Sequence, residues 1–217
     1  MFFFKIFFHQ EILQISKRKS YHFANIFSFI ILLSLFQILT AHFAHDLSAN
    51  LFIIFCNFAI LSAILLINHV FLFEDFVDGT LEQIIIKCRN LEIMVLAKCL
   101  ANWLCSCVPI IIIAGFFAKI LYNEIFKLWQ FSLLLACGSL SLFFLLALCG
   151  SLSMLRGSSS IISIIALPLT LPILIILNVA MNEDFWTNIK ILLAITFFII
   201  PICCLGIAKI IKIANDS

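Results

Sequence analysis

The residues of this chain with the most to offer chemically stand in one short stretch. Glu74, Asp75, Asp78 and Glu82 put four carboxylates within nine residues of a sequence in which only 11% of residues are charged. In hydrocarbon each would cost roughly 2.5–3.5 kcal/mol at a helix centre, so the stretch belongs in water. Asp78-Gly79 is a turn pair, because glycine accepts positive φ without steric cost, and Thr80 followed by Gln83 has the form of a capping box. The pattern predicts a short helix starting at Leu81. Leu81, Ile84 and Ile85 would form its narrow apolar edge, with Glu82 and Gln83 away from it. Such an edge has to be buried by something, and the whole stretch reads as a docking point.

The other reactive residues point to less. His42 and His45 lie three apart with Asp46 adjacent, and are read as a solvated interfacial loop rather than as metal or haem ligands. The nine cysteines fall almost entirely within apolar segments. Cys105-x-Cys107 and Cys203-Cys204 have no histidine nearby and lack CxxC spacing, so they are read as small hydrophobic packing residues, with no metal site expected. The six glycines form neither GxxxxGK[ST] nor GxGxxG, and no HExxH occurs, which excludes the familiar nucleotide cradles and the commonest zinc-protease pattern.

The elements around the docking point are apolar. Hydrophobic residues make up 65% of the 217 residues and mean hydropathy is +1.24, far above the roughly 45–50% apolar content of soluble domains. The fold class expected is all-α, a polytopic membrane protein of six transmembrane helices forming a single domain over 1–217. Stretches near 23–41, 50–72, 93–117, 130–154, 160–180 and 190–209 are each long enough to cross about 30 Å of hydrocarbon. Nothing in the composition suggests a nucleic-acid partner; membrane lipid is the expected surroundings.

Ahead of these spans, Phe4, Phe7, Phe8, Ile12 and Ile15 recur at helical spacing, with Lys5, His9 and Ser16 away from them. Residues 1–20 are therefore expected to form an amphipathic helix at the membrane surface. Their basic cluster, Lys17-Arg18-Lys19, follows the apolar stretch instead of preceding it. The segment is thus not a signal peptide and is expected to stay attached. Ten of the thirteen Lys and Arg residues lie on one side of a six-span arrangement, and Lys119, Lys127 and Lys190 on the other, which puts both termini and the 74–91 loop in the cytoplasm. Lys98, the one charge near a span, is expected to snorkel to the interface. With no Asp or Glu expected within the spans, a proton-coupled carrier and an intramembrane acid-base enzyme are both disfavoured.

All four prolines, Pro109, Pro168, Pro172 and Pro201, fall within spans. Pro168-Leu169-Thr170-Leu171-Pro172 is expected to break or sharply kink the fifth, making Pro168, Thr170 and Pro172 a candidate gating element, with a static packing kink as the equal alternative. The fourth span carries Cys137, Gly138, Ser139, Ser141, Gly150 and Ser151, small residues that permit close helix approach.

Asp78-Gly79-Thr80-Leu81-Glu82-Gln83, then Val95-Leu96-Ala97-Lys98 with Trp103 and Pro109, then Leu167 to Ile175 containing the PLT-x-P element, resemble CcmB, the permease family of the cytochrome c maturation ABC system, also called haem exporter protein B. The resemblance covers nearly the whole chain. It departs at Asn102, where the family carries a histidine before the tryptophan. It implies a type-2 ABC exporter permease in a bacterial inner membrane, with no catalysis of its own and no cofactor bound by this chain. It implies as partners a separate CcmA-like ABC ATPase subunit that carries ATP, and CcmC-like and CcmD-like membrane subunits in a complex that handles haem. Residues 74–91 would then hold the coupling helix. Glu74, Asp75, Asp78, Gly79, Thr80, Leu81, Glu82, Gln83, Ile84 and Ile85 would dock the ATPase, carboxylates facing its basic groups and the apolar edge supplying buried area. The alternatives are a type-2 permease for lipid-linked glycans or drugs, and a membrane scaffold that transports nothing.

Overall fold

The computed structural model describes residues 2–17, 19–43, 49–71, 79, 90–121, 128–152, 160–182 and 185–216. Among them are seven α-helices and no strand: α1 (Phe2–Lys17), α2 (Lys19–Phe43), α3 (Ala49–Phe71), α4 (Leu91–Leu121), α5 (Leu128–Ser151), α6 (Ser160–Asn182) and α7 (Phe185–Asp216). Each of the six apolar stretches read from the sequence coincides with one of α2 to α7. By length and composition α4, α5 and α7 could each cross a membrane, while α2, α3 and α6 carry shorter apolar stretches, His22–Ile38, Leu51–Ile67 and Ala166–Ala180. At about 1.5 Å per residue, α1 is too short to do so.

The core sits around α5, which packs against α3, α4, α6 and α7. Phe131, Leu134, Leu142, Phe143, Phe144, Leu146 and Ala147 of α5 are all essentially inaccessible. Two glycines explain how the neighbours come so close. A Cβ at Gly138 would stand 2.5 Å from Leu177 Cδ2 on α6, and one at Gly206 of α7 would stand 2.7 Å from Leu148 Cδ1 on α5. The close approach expected of the fourth span's small residues is thus realised at Gly138. Ser139, Ser141 and Ser151 of α5 satisfy their hydroxyls on carbonyls three or four residues back, so they can be buried without a partner helix.

The outer faces are as apolar as the core. Phe23, Ile112, Phe116, Phe197 and Phe198 are each more than 60% exposed. A belt of that kind cannot be left in water and suits lipid. Trp129 at the start of α5 packs with Phe185 and Trp186 at the start of α7, ring centroids 5.6–5.9 Å apart. Amphipathic rings gathered at one end of the helices are typical of a membrane interface.

The prolines interrupt nothing. α6 runs through Pro168 and Pro172 as one helix, and α4 and α7 run through Pro109 and Pro201. Of the break or sharp kink expected in the fifth span, the break does not occur, because a proline costs its helix one backbone bond and a local bend without ending it where neighbouring helices hold the segment.

Candidate functional site

The docking point read from the sequence lies almost wholly outside the described residues: this holds for Glu74, Asp75, Asp78, Thr80, Leu81, Glu82, Gln83, Ile84 and Ile85. Gly79 is described. It lies in a turn at φ +66°, the left-handed conformation that the Asp78-Gly79 pair predicts. Immediately beyond the loop, Asn90 takes the N-cap position of α4 and Glu92 lies in its first turn, both suited to the positive end of the helix dipole; Lys119 stands in the last turn. The first turn of α4 therefore leads into a polar seam on the same helix.

That seam is on α4. Lys98, Asn102 and Ser106 fall at i, i+4 and i+8, so they share a face, and all three are buried. Lys98 is only 5% exposed and does not snorkel, contrary to expectation. Its Nζ lies 3.6 Å from Oε2 of Glu11, which α1 delivers to the same place and which is itself 8% exposed. The other oxygen of Glu11 accepts from Asn102 Nδ2 at 2.9 Å, and that amide also approaches the Lys98 carbonyl at 3.2 Å. One carboxylate thus spans two successive turns of α4. The lysine stays inside because a paired charge loses less by burial than a lone one.

One turn further, Ser106 Oγ donates to Asn102 O at 2.6 Å and lies 3.3 Å from His22 Nδ1 on α2. The hydroxyl proton being committed to the carbonyl, the ring nitrogen is the donor. The α2 contact is less complete than the α1 contact. Asn25, one turn from His22 and 2% exposed, has no hydrogen-bond partner among the described residues on either side-chain atom. On its opposite flank α4 meets α5 through Trp103 Nε1, which donates to Ser139 Oγ at 3.2 Å.

Glu11 also revises the reading of α1. The expected face of Phe4, Phe7, Phe8, Ile12 and Ile15 holds except at Ile12: Phe4, Phe7, Phe8 and Ile15 are half-buried, Glu11 lies buried among them, and Ile12 is exposed. Apolar side chains occur nearly all round this helix, so hydrophobicity alone does not pick its inner face; the carboxylate does, by finding Lys98. The sequence signal that would have found Glu11 is its position a turn from Phe7 and a turn from Ile15, the one charge on that side.

The remaining candidates are quickly placed. Thr170 is buried and donates to Leu167 O at 2.9 Å, while Pro168 and Pro172 face outward. Asn57 Nδ2 on α3 donates to Asn178 Oδ1 on α6 at 3.0 Å, tying the proline-containing helix to its neighbour. His42 falls in the last turn of α2, whereas His45 lies outside the described residues. Cys56, Cys99, Cys107, Cys149, Cys203 and Cys204 are buried as free thiols, and no group of three or more potential ligands among the described residues could hold a metal ion. The cysteines pack as small hydrophobes.

An all-helical bundle with lipid-suited outer faces, helices long enough to span and a few buried polar clasps defines a polytopic membrane protein. The sequence profile described as CcmB protein matches residues 1–214, so the chain belongs to the CcmB family. It is 29% identical over 212 residues to "Heme exporter protein B" of Haemophilus influenzae, covering 94% of this chain and 96% of that one. It is 32% identical over 120 residues to "Heme exporter protein B" of Pseudomonas aeruginosa, covering 54% of this chain and 53% of that one.

Proposed function

We propose that this chain is the membrane permease subunit of an ABC transporter complex required for cytochrome c biogenesis, acting in haem export or in ATP-driven release of a haem-loaded chaperone. The observation that carries the reading is the family match along residues 1–214, over a chain whose described part is a bundle of apolar helices. Two relatives named for haem export support haem as the species the complex handles. In this reading the chain is one membrane domain of six spans with type-2 exporter architecture, set in a bacterial inner membrane with both termini in the cytoplasm. The chain hydrolyses nothing itself. A CcmA-like ATPase binds and hydrolyses ATP, and CcmC-like and CcmD-like subunits complete the assembly.

The loop from Glu74 to Leu91 is the ATPase seat. Glu74, Asp75, Asp78 and Glu82 face basic groups on the ATPase, Gly79 and Thr80 form the turn and cap, and Leu81, Ile84 and Ile85, with Gln83 alongside, fill its groove. The positive φ of Gly79 supports the turn this arrangement needs. The Pro168-Thr170-Pro172 segment of α6 is the candidate element that bends when the loop moves.

The test is co-purification from detergent-solubilised native membranes. Recovery of an ABC ATPase together with cytochrome maturation subunits is the expected outcome. Ile84→Asp, which puts a charge on the buried edge, is expected to leave membrane insertion intact and reduce ATPase recovery at least ten-fold. An ATPase accompanied by glycan or drug-export components would keep the permease and remove haem; no ATPase at all would leave a scaffold.

A further inference from the structure

The buried seam on α4 is absorbed neither by the docking loop nor by the proline segment, yet among the described residues it brings three helices together through charged and polar groups. Apolar contact alone would let α1 slide or roll on α4, because burial is non-directional. Glu11 removes that freedom. Its two oxygens engage Lys98 Nζ at 3.6 Å and Asn102 Nδ2 at 2.9 Å, on successive turns, so a one-residue slip of α1 would strand a buried charge. Ser106, next along the seam, meets His22 of α2, and α2 begins at Lys19, directly beyond the end of α1 at Lys17. The seam also starts close to the loop: Lys98 is about two turns, or about 10 Å, into a helix whose first residue is Leu91.

We propose that Glu11 is a positioning residue that locks α1 in register on Lys98 and Asn102, so that displacement of the loop ahead of α4 carries α1, and through it α2, as one unit. This inference rests on the permease reading above, since it takes the loop to be driven by an ATPase. The seat of α2 is the compliant part. Its histidine contact is a single one, and Asn25 beside it has no side-chain hydrogen-bond partner among the described residues, whereas the carboxylate of α1 is engaged on both oxygens.

The experiment uses the full chain in its native complex, comparing wild type, Glu11→Gln, and the reversed pair Glu11→Lys with Lys98→Glu. Four quantities are read: abundance in the membrane, ATPase recovered with the chain, ATP hydrolysed, and cytochrome c carrying covalent haem. Glu11→Gln leaves Lys98 buried without its counter-charge and is expected to lower membrane abundance; per chain present, ATPase recovery is expected to stay within two-fold of wild type, while cytochrome c matured per ATP hydrolysed falls at least five-fold. The reversed pair is expected to regain at least half of that loss, which a role in folding alone would not produce once abundance is equal. Unchanged yield per ATP in Glu11→Gln overturns the proposal, whatever its abundance. Should Glu11→Gln fail to accumulate, the reversed pair decides: restored abundance with restored yield supports the register lock, and any other result overturns it. Wild-type chain that brings down no ATPase overturns the permease reading itself, and the transmission role with it.

Discussion

Two sides of the bundle hold together by opposite means. Around α5, contact is made by removing atoms: Gly138 admits Leu177, Gly206 admits Leu148, and the serines donate within their own helix. Around α4, contact is made by adding polar atoms: Glu11, Lys98, Asn102, Ser106 and His22 reach across between helices. In lipid the first kind gains dispersion energy over a continuous surface, and no single atom decides it. The second depends on a few atoms, each costly to leave alone, so it defines one position of one helix against another. A protein that has to move some helices and keep others together has use for both.

Three substitutions would break or sharpen this contrast. The largest effect is expected at Lys98. Lys98→Ala leaves Glu11 buried without its counter-charge and should cost about 3–5 kcal/mol, read as loss of membrane abundance and a lower unfolding midpoint in detergent. Replacing both Lys98 and Glu11 by leucine should recover most of that stability, since an apolar pair of similar volume carries no desolvation penalty; stability as low as in the single variant would refute the ion-pair account. Next is Gly138→Val, which forces α6 off α5 at Leu177 and should cost about 1–3 kcal/mol with no change in the charge network. It is checked by the same midpoint and by whether α1 stays protected from added protease. The smallest is Trp103→Phe, which removes the bond to Ser139 while keeping the ring. A loss of about 0.6 kcal/mol is expected, the usual size of an interhelical hydrogen bond in a membrane bundle. A shift above 2 kcal/mol would show that the α4–α5 contact belongs to the polar side of the comparison.

Much of this was legible beforehand, for reasons that particular residues make plain. Long apolar runs between charged or polar stretches mark helices wherever they occur, so α2 to α7 fall where hydropathy puts them. Gly79 could be read as a turn because few other residues accept its φ. Lys98 was misread because burial looks forbidding when only the neighbours in sequence are considered. Its partner stands on another helix, and Asn102, which shares that partner, is 91 residues from it along the chain. At the proline segment the local penalty at Pro168 and Pro172 is real, but α3 and α5 lie against α6 and hold it as one helix, so of the expected break or kink the break does not occur.

The sequence by itself therefore determined the medium and the secondary structure. A composition 65% hydrophobic demands lipid, and in lipid a backbone interrupted by few polar stretches has to satisfy its own hydrogen bonds as helix. Only the tertiary structure decided which way each helix faces. A helix apolar on every side carries little period to orient it, and the choice falls to sparse features whose meaning depends on what stands opposite: a missing Cβ at Gly138, or a carboxylate at Glu11 that finds Lys98.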